Sequence, residues 1–406
     1  MRADTPTGTA AQGGLARGTV PLVALCAGVT VANIYLAHPI LTLLAEAFGV
    51  PESATGFVVT VAQVGYALGL FFLVPLGDVV RRRRLVAVLV SGTGAALLLA
   101  AAAGALPVLV GATVVLSLLT VVPHVLIPFT VAAVDPDRRG RSLALINAGM
   151  TAGIVGSRVI GGAVGDLLGW RAVYLVAAVA TVVVGLLTAF VLPAEPVRER
   201  PRFDRLVAST LRFLRTEPGV RWAIAIQIPV FAAFNFVWVM LVLLLTGPVY
   251  GLSVGTAGLF GLFSLVTLLS APLVGRLLDA RGSAVVLAGG LAVQVVGAAL
   301  MLASEHGMVF VCVAIVLLTI GQQSSQIANQ TRILALRPEA RSRINTLYMT
   351  GIFIGGAAAS AVAALVHGAF GWSGVTVGTF ACAVAAALVG LAERLTAGRR
   401  PAAVAP

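Results

Sequence analysis

The chain has 406 residues, 59% of them hydrophobic and only 10% charged, and its mean hydropathy is +1.04. Soluble globular chains carry about 25% charge, so soluble enzymes and soluble binding modules are excluded. The formal net charge of +12, with an isoelectric point near 11.2, does not signal nucleic acid. Every basic residue is an Arg, and these sit in short turns between apolar runs, with no basic face that aromatics interleave.

The apolar residues fall in stretches of about 18 or more, the length that crosses hydrocarbon as a helix. Residues 1–19 are rich in Gly, Ala and Thr and predict a polar cytoplasmic tail. The run that follows is too long for the core of a signal peptide, and no small-residue cleavage site closes it, so it is expected to remain as span 1. In chain order, spans 1 to 12 are predicted at 20–44, 54–76, 85–103, 108–133, 142–165, 172–192, 221–245, 254–274, 284–303, 308–334, 344–366 and 373–392. The fold class is therefore an all-α membrane protein of twelve transmembrane helices in two six-helix bundles, 20–192 and 221–392. The longest polar interval, 193–220, holds Pro193, Pro196, Pro201 and Pro218 and reads as a cytoplasmic linker. Within it Phe203, Leu206, Val207, Leu211 and Leu214 can share one face of an amphipathic helix on the inner leaflet. Residues 393–406 form a second cytoplasmic tail. Cys26, Cys312 and Cys382 lie inside apolar runs as packing residues, and no disulfide or metal-ligand spacing exists.

The Arg residues set the orientation, because basic residues stay on the cytoplasmic side. With both termini cytoplasmic, 25 of the 27 Arg fall in cytoplasmic segments; the exceptions are Arg171, in an outer turn, and Arg158, inside span 5. The reverse orientation would put nearly all of them outside, so a multi-pass protein of the plasma (cytoplasmic) membrane is expected. The two halves also repeat. The loop Leu76-Gly77-Asp78-Val79-Val80-Arg81-Arg82-Arg83-Arg84 has a looser copy, Gly275-Arg276-Leu277-Leu278-Asp279-Ala280-Arg281-Gly282, with Asp78 and Asp279 201 residues apart. Pro136-Asp137-Arg138-Arg139-Gly140-Arg141 is answered by Pro338-Glu339-Ala340-Arg341-Ser342-Arg343, and Gly169-Trp170 by Gly371-Trp372. Parallel six-span repeats are a standard plan of secondary transporters.

These motifs carry a resemblance. Asp78 and the basic run after it resemble the G-x-x-x-D-x-x-G-R-R/K signature between spans 2 and 3 of the major facilitator superfamily, with Val74 and Arg81 standing where its two Gly are expected. The second copy keeps Gly275, Asp279 and Gly282. Asn33-Ile34-Tyr35-Leu36-Ala37-His38-Pro39-Ile40-Leu41 is similar to the N-I-Y-Y-N-Q-P-L-L stretch of a bacterial subgroup of arabinose-efflux-like or drug-efflux permeases, departing from it at Leu36, Ala37 and His38. The resemblance implies a monomeric secondary carrier, without cofactor, in which spans 1, 4, 7 and 10 line a cavity and 2, 5, 8 and 11 flank it. It implies export of a small drug-like or sugar-like molecule in exchange for protons. The competing reading is an uptake symporter or uniporter for a small organic anion. An enzyme lacks support, because there is no nucleophile–base pair, metal cluster, phosphate loop or soluble domain.

Candidate site residues follow from polarity at membrane depth. A charge inside a span costs at least about 2.5 kcal/mol and is normally paired or turned to water. Arg158 is therefore expected to meet substrate or a gate; the alternative is that it snorkels outward towards Asp166, about 12 Å away at helical rise. Its surroundings, Gly153 to Gly162, resemble the Gly-Pro-x-x-Gly-Gly pattern of superfamily antiporters, with Ser157-Arg158 in place of Gly-Pro. His124, after Pro123 in span 4, and His38, before Pro39 in span 1, are proton-site candidates; the alternative is a hydrogen-bonded structural His. No Asp or Glu falls in the centre of any span. Gln322, Gln326 and Asn329 share a face of span 10 at i, i+4 and i+7, which is expected to look into the cavity or to glue helices together. Asn33, Tyr35, Gln63, Asn235 and Trp238 are substrate candidates of the same two-way kind. Such a site suits neutral, amphipathic or monoanionic molecules. Asp78, Arg81 and Arg82, with Gly275, Asp279 and Arg281, are expected to act as gates, and Arg82 to Arg84 to meet anionic lipid headgroups.

Overall fold

The structure is a computed structural model that describes residues 18–135, 138–192, 203–337 and 340–398. The outermost tails, residues 193–202, and the repeated pairs Pro136-Asp137 and Pro338-Glu339 lie outside the described residues. Among the described residues, ten helices are long and apolar enough to cross a membrane: Thr19–Phe48, Glu52–Gly77, Arg82–Ala101, Leu106–Val131, Arg139–Leu168, Trp170–Val191, Pro218–Thr246, Val254–Met301, Met308–Leu336 and Arg341–Thr396. Two of them run 48 and 56 residues. At about 1.5 Å per residue each is well over twice the hydrocarbon thickness of about 30 Å. Both break at a glycine in the left-handed region, Gly282 at φ 77° and Gly371 at φ 62°. Only Gly takes such conformations freely. Divided there, the helices accommodate twelve spans.

The repeat is visible in the backbone. Gly169, at the start of span 6, has φ 82°, and Gly371, its counterpart before span 12, is also left-handed. Each is followed by a buried Trp: Trp170 packs on Phe48 and Tyr174, and the Trp372 indole donates to Ser304 Oγ at 2.7 Å. The loop repeat is less symmetric than its sequence. Pro75–Asp78 forms a 3-10 turn, whereas residues 275–281 continue the helix of span 8 and the turn falls at Gly282. The linker helix forms over Phe203–Thr216, with Phe213 and Leu214 packed against the core of the bundle and Leu211 exposed.

Prolines divide two spans that shape the interior. Span 1 passes through 3-10 turns at Asn33–Tyr35 and His38–Ile40, where Pro39 supplies no N–H. Span 4 breaks between Leu119 and Val122, just before Pro123. The Thr120 hydroxyl at that break donates to the Thr30 carbonyl at 2.6 Å. Spans 1 and 5 then touch backbone to backbone. A Cβ on Gly28 would strike the Gly149 carbonyl, and one on Gly153 would strike that of Gly28. Close approach of this kind is how helices gain packing where lipid removes the hydrophobic drive.

The first and second six spans meet mainly through their ends far from the termini. There Gly162 of span 5 packs on Gly258 of span 8, and Gly56 of span 2 on Met240 and Ala364 of spans 7 and 11. Gly153→Val should lower the unfolding temperature in detergent, at a cost of roughly 1–3 kcal/mol from overpacking. Gly140→Ala, whose Cβ meets nothing within 4 Å, should leave it unchanged. Equal melting curves for the two variants would refute the seam.

Candidate substrate cavity

A cavity of about 640 Å³ lies between the two halves, within the range of small-molecule sites. Its walls descend span 5 through Arg158, Ile154, Thr151 and Asn147 and span 10 through Thr319, Gln322, Gln326 and Gln330. It therefore extends from mid-span towards the Arg-rich end that carries the termini. Tyr35, Tyr66 and His124 line it from the first half, and Phe231, Phe234 and Phe353 from the second. No carboxylate is among its described lining residues.

Arg158 sits at the closed end of this cavity and is 4% exposed. It does not reach outward to Asp166. One guanidinium nitrogen donates to Ser264 Oγ of span 8 at 2.7 Å. The guanidinium carbon lies 3.8 Å from the centre of the Trp238 ring of span 7 and 5.5 Å from that of Tyr35. The face of an aromatic ring attracts a cation most strongly where water is excluded. Among the described residues no carboxylate pairs with Arg158.

A second polar clamp ties the halves. Gln63 of span 2 donates to Ser360 Oγ at 2.9 Å and accepts from Asn235 Nδ2 at 3.0 Å. Gly356 makes room for it, since a Cβ there would collide with Gln63, Phe231 and Asn235. Gln63 and Asn235 are thus buried in a seam beside the cavity instead of lining it.

The remaining candidates divide. Gln322 and Gln326 line the cavity and bond to each other at 2.7 Å. His124 also lines it, with its Nε2 2.9 Å from the Tyr66 hydroxyl. Asn329 turns away and donates to Gln227 Oε1 at 3.0 Å between spans 10 and 7. Asn33 is held inside the first half by Thr181 and Thr120 at 3.1 and 3.3 Å. His38 is buried beside Tyr35, with ring centres 5.3 Å apart, beyond the cavity's closed end. At the Arg-rich end, Arg82 lies over the Phe129 ring at 5.5 Å, while Arg81, Asp279 and Arg281 are exposed and Gly275 has open space around it. The side chain of Asp78 lies outside the described residues. Ser264, Ser360, Phe231 and Phe353 escaped the sequence reading, because single hydroxyls and aromatics in apolar runs carry no local signal.

The family comparison is decisive. The model of the Major Facilitator Superfamily matches residues 23–331 and 226–406. The chain belongs to the major facilitator superfamily. It is 43% identical over 396 residues to a probable transporter of Streptomyces coelicolor, covering 97% of this chain and 90% of that one. It is 32% identical over 361 residues to the uncharacterized transporter YgaY of Escherichia coli O157:H7, covering 89% and 92%. Among solved structures, the nucleoside transporter NupG superposes with a TM-score of 0.75 at 12% identity, covering 92% of this chain and 98% of that one. The inward-facing, unoccupied bacterial homologue of the human lysosomal transporter spinster gives 0.72 at 14%, covering 93% and 96%. At such identities these two share the fold alone. The protein is thus a multi-pass membrane transporter of the superfamily, and not an enzyme.

In this transporter Asn235 and Trp238 lie three residues apart on span 7, so one helical turn receives both clamps from the first half. Hydrogen bonds at membrane depth contribute about 0.6 kcal/mol on average and up to about 1.7. Gln63→Leu removes two of them. At the average value it should shift the conformational equilibrium about eightfold towards separation of this seam. Cysteine accessibility at Ser53 and Gly368, which face each other across the same seam, measures the shift. Unchanged labelling rates would remove Gln63 from the gate.

Proposed function

We propose that this carrier exports a small organic molecule bearing at most one negative charge, by alternating access of its two six-span halves. The observation that carries the reading is Arg158: a buried guanidinium on the cavity wall, with no described carboxylate to neutralise it. A carboxylate or other monoanionic group of the substrate would complete that charge, since a desolvated cation favours a hydrogen-bonded anion over water. Gln322, Gln326 and Gln330 offer amide bonds to the polar part of the substrate, and Phe231, Phe234 and Phe353 meet its apolar part. Neutral drug-like or sugar-like compounds use the same amides and aromatics without the ion pair.

Charge supports the orientation and the direction proposed. The Arg distribution puts the termini in the cytoplasm, so the cavity described here faces inward. The clamps at Gln63 and Arg158 then form the outer gate. An anion leaving the cell moves with the inside-negative potential, which contributes about 2.3 kcal/mol per charge per 100 mV. A carrier of this kind can export without a buried acid. His124, hydrogen-bonded to Tyr66 on the cavity wall, is the proposed proton site for exchange. The same pair also supports the second reading, uptake of an organic anion with a proton. The arginines at 82–84 are proposed to rest on anionic headgroups of the inner leaflet.

Transport into proteoliposomes loaded with a pH-sensitive dye separates these readings. A panel of monoanionic, neutral and cationic amphipaths is expected to show the monoanions carried at least tenfold faster than the cations. Proton and substrate should move in opposite directions. Arg158→Gln should lose at least tenfold in monoanion flux while eluting as a folded protein. Full flux in that variant overturns the assignment; protons moving with the substrate would establish uptake.

A further inference from the structure

Behind the cavity, on the outer side of Arg158, lies a second, very small pocket. It has about 20 Å³ open to the centre of a water-sized sphere, where one water needs roughly 10–15 Å³. Arg158, Trp238 and His38 line it, and Leu241, Leu245 and Phe260 supply apolar walls. Arg158 and Trp238 are 4% and 5% exposed, and each keeps a buried N–H, Nε and Nε1 respectively, without a protein partner. Orphaned buried donors are costly and uncommon. Here two occur on side chains already in contact, one of them charged, and His38 in the same lining keeps a buried Nδ1 without a protein partner.

We propose that this pocket binds a single halide ion, chloride under cellular conditions, held by Arg158 Nε and Trp238 Nε1. Both groups can only donate. With the His38 proton on Nδ1, every unpartnered polar atom of the pocket donates, and such a site around a net positive charge, with no described carboxylate beside it, favours an anion over a water molecule that must donate in turn. The size admits one monatomic ion and excludes phosphate or sulfate. The apolar walls favour a weakly hydrated ion. Because Arg158 lines both spaces, the halide and the substrate cavity lie on opposite sides of one guanidinium. The halide neutralises Arg158 when no substrate does, and stands independently of which substrate is carried.

Halide binding to the purified full-length protein tests this without any substrate. Unfolding temperature and tryptophan fluorescence are followed as chloride or bromide replaces gluconate at constant ionic strength. A saturable rise in unfolding temperature with either halide is expected. It should be abolished in Arg158→Gln. In Trp238→Phe, which keeps an aromatic face but loses the N–H, the halide affinity should fall about tenfold. Identical curves in chloride and gluconate overturn the proposal, as does a non-saturating effect that persists in both variants. Loss in Arg158→Gln with undiminished affinity in Trp238→Phe would put the ion in the central cavity and overturn this pocket. Bromide-soaked crystals give a second readout: the anomalous peak is expected within hydrogen-bond reach of both nitrogens, and a peak elsewhere refutes it.

Discussion

Placing a full positive charge at membrane depth costs at least about 2.5 kcal/mol, and the Arg158 site is built around that cost. The guanidinium is met by the face of Trp238, the ring of Tyr35 and the hydroxyl of Ser264. Cation–π contact is worth about 2 kcal/mol or more when desolvated, so these neutral partners can hold the cation without a carboxylate. What they cannot supply is a compensating charge. The residual positive field at the end of the cavity is the property on which our proposal of a monoanionic ligand rests.

The same interaction joins structure to movement. Arg158 belongs to span 5, Trp238 to span 7 and Ser264 to span 8, so the contacts that stabilise the charge also hold the halves together. Gly258 and Gly261 let span 8 close over the Arg158 backbone and side chain. A ligand that engages the guanidinium therefore competes with contacts that keep the far end shut. The Gln63–Asn235 clamp lies one helical turn away on span 7 and strengthens the same closure. Polar bonds at this depth are individually weak, which suits a seam that must open and reform in every cycle.

Glycine placement supports this division of labour. Within the first half, Gly28, Gly149 and Gly153 make a backbone seam between spans 1 and 5 in which no side chain is available to rearrange. Between the halves, the seam mixes glycines with hydrogen-bonded amides and an aromatic–cation contact. Rigid packing inside each half and exchangeable contacts between halves are what rocking about a central cavity requires.

Much of this was legible in the chain itself. Hydropathy located the spans, because hydrocarbon thickness dictates the length of every crossing helix: span 5, expected at 142–165, is Arg139–Leu168. The exceptional Arg158 was legible from its cost alone. The family was legible from the repeated loop and the Asn33–Leu41 stretch. Side-chain direction was not. At about 100° per residue Gln322 and Asn329 point within about 20° of each other, yet Gln322 lines the cavity while Asn329, about two turns further along span 10, meets Gln227. Asn33 lies where span 1 leaves α-helical geometry, so its neighbours cannot be read from helical spacing. The partners of Arg158 and Gln63 stand 80 and 297 residues away for Trp238 and Ser360. The sequence by itself determined the membrane class, the spans and the presence of an unusual buried charge, since each follows from local transfer energy. The tertiary structure alone decided which polar residues face the cavity, which clamp the halves and which donors remain unpaired, because those depend on how separate helices rotate against one another.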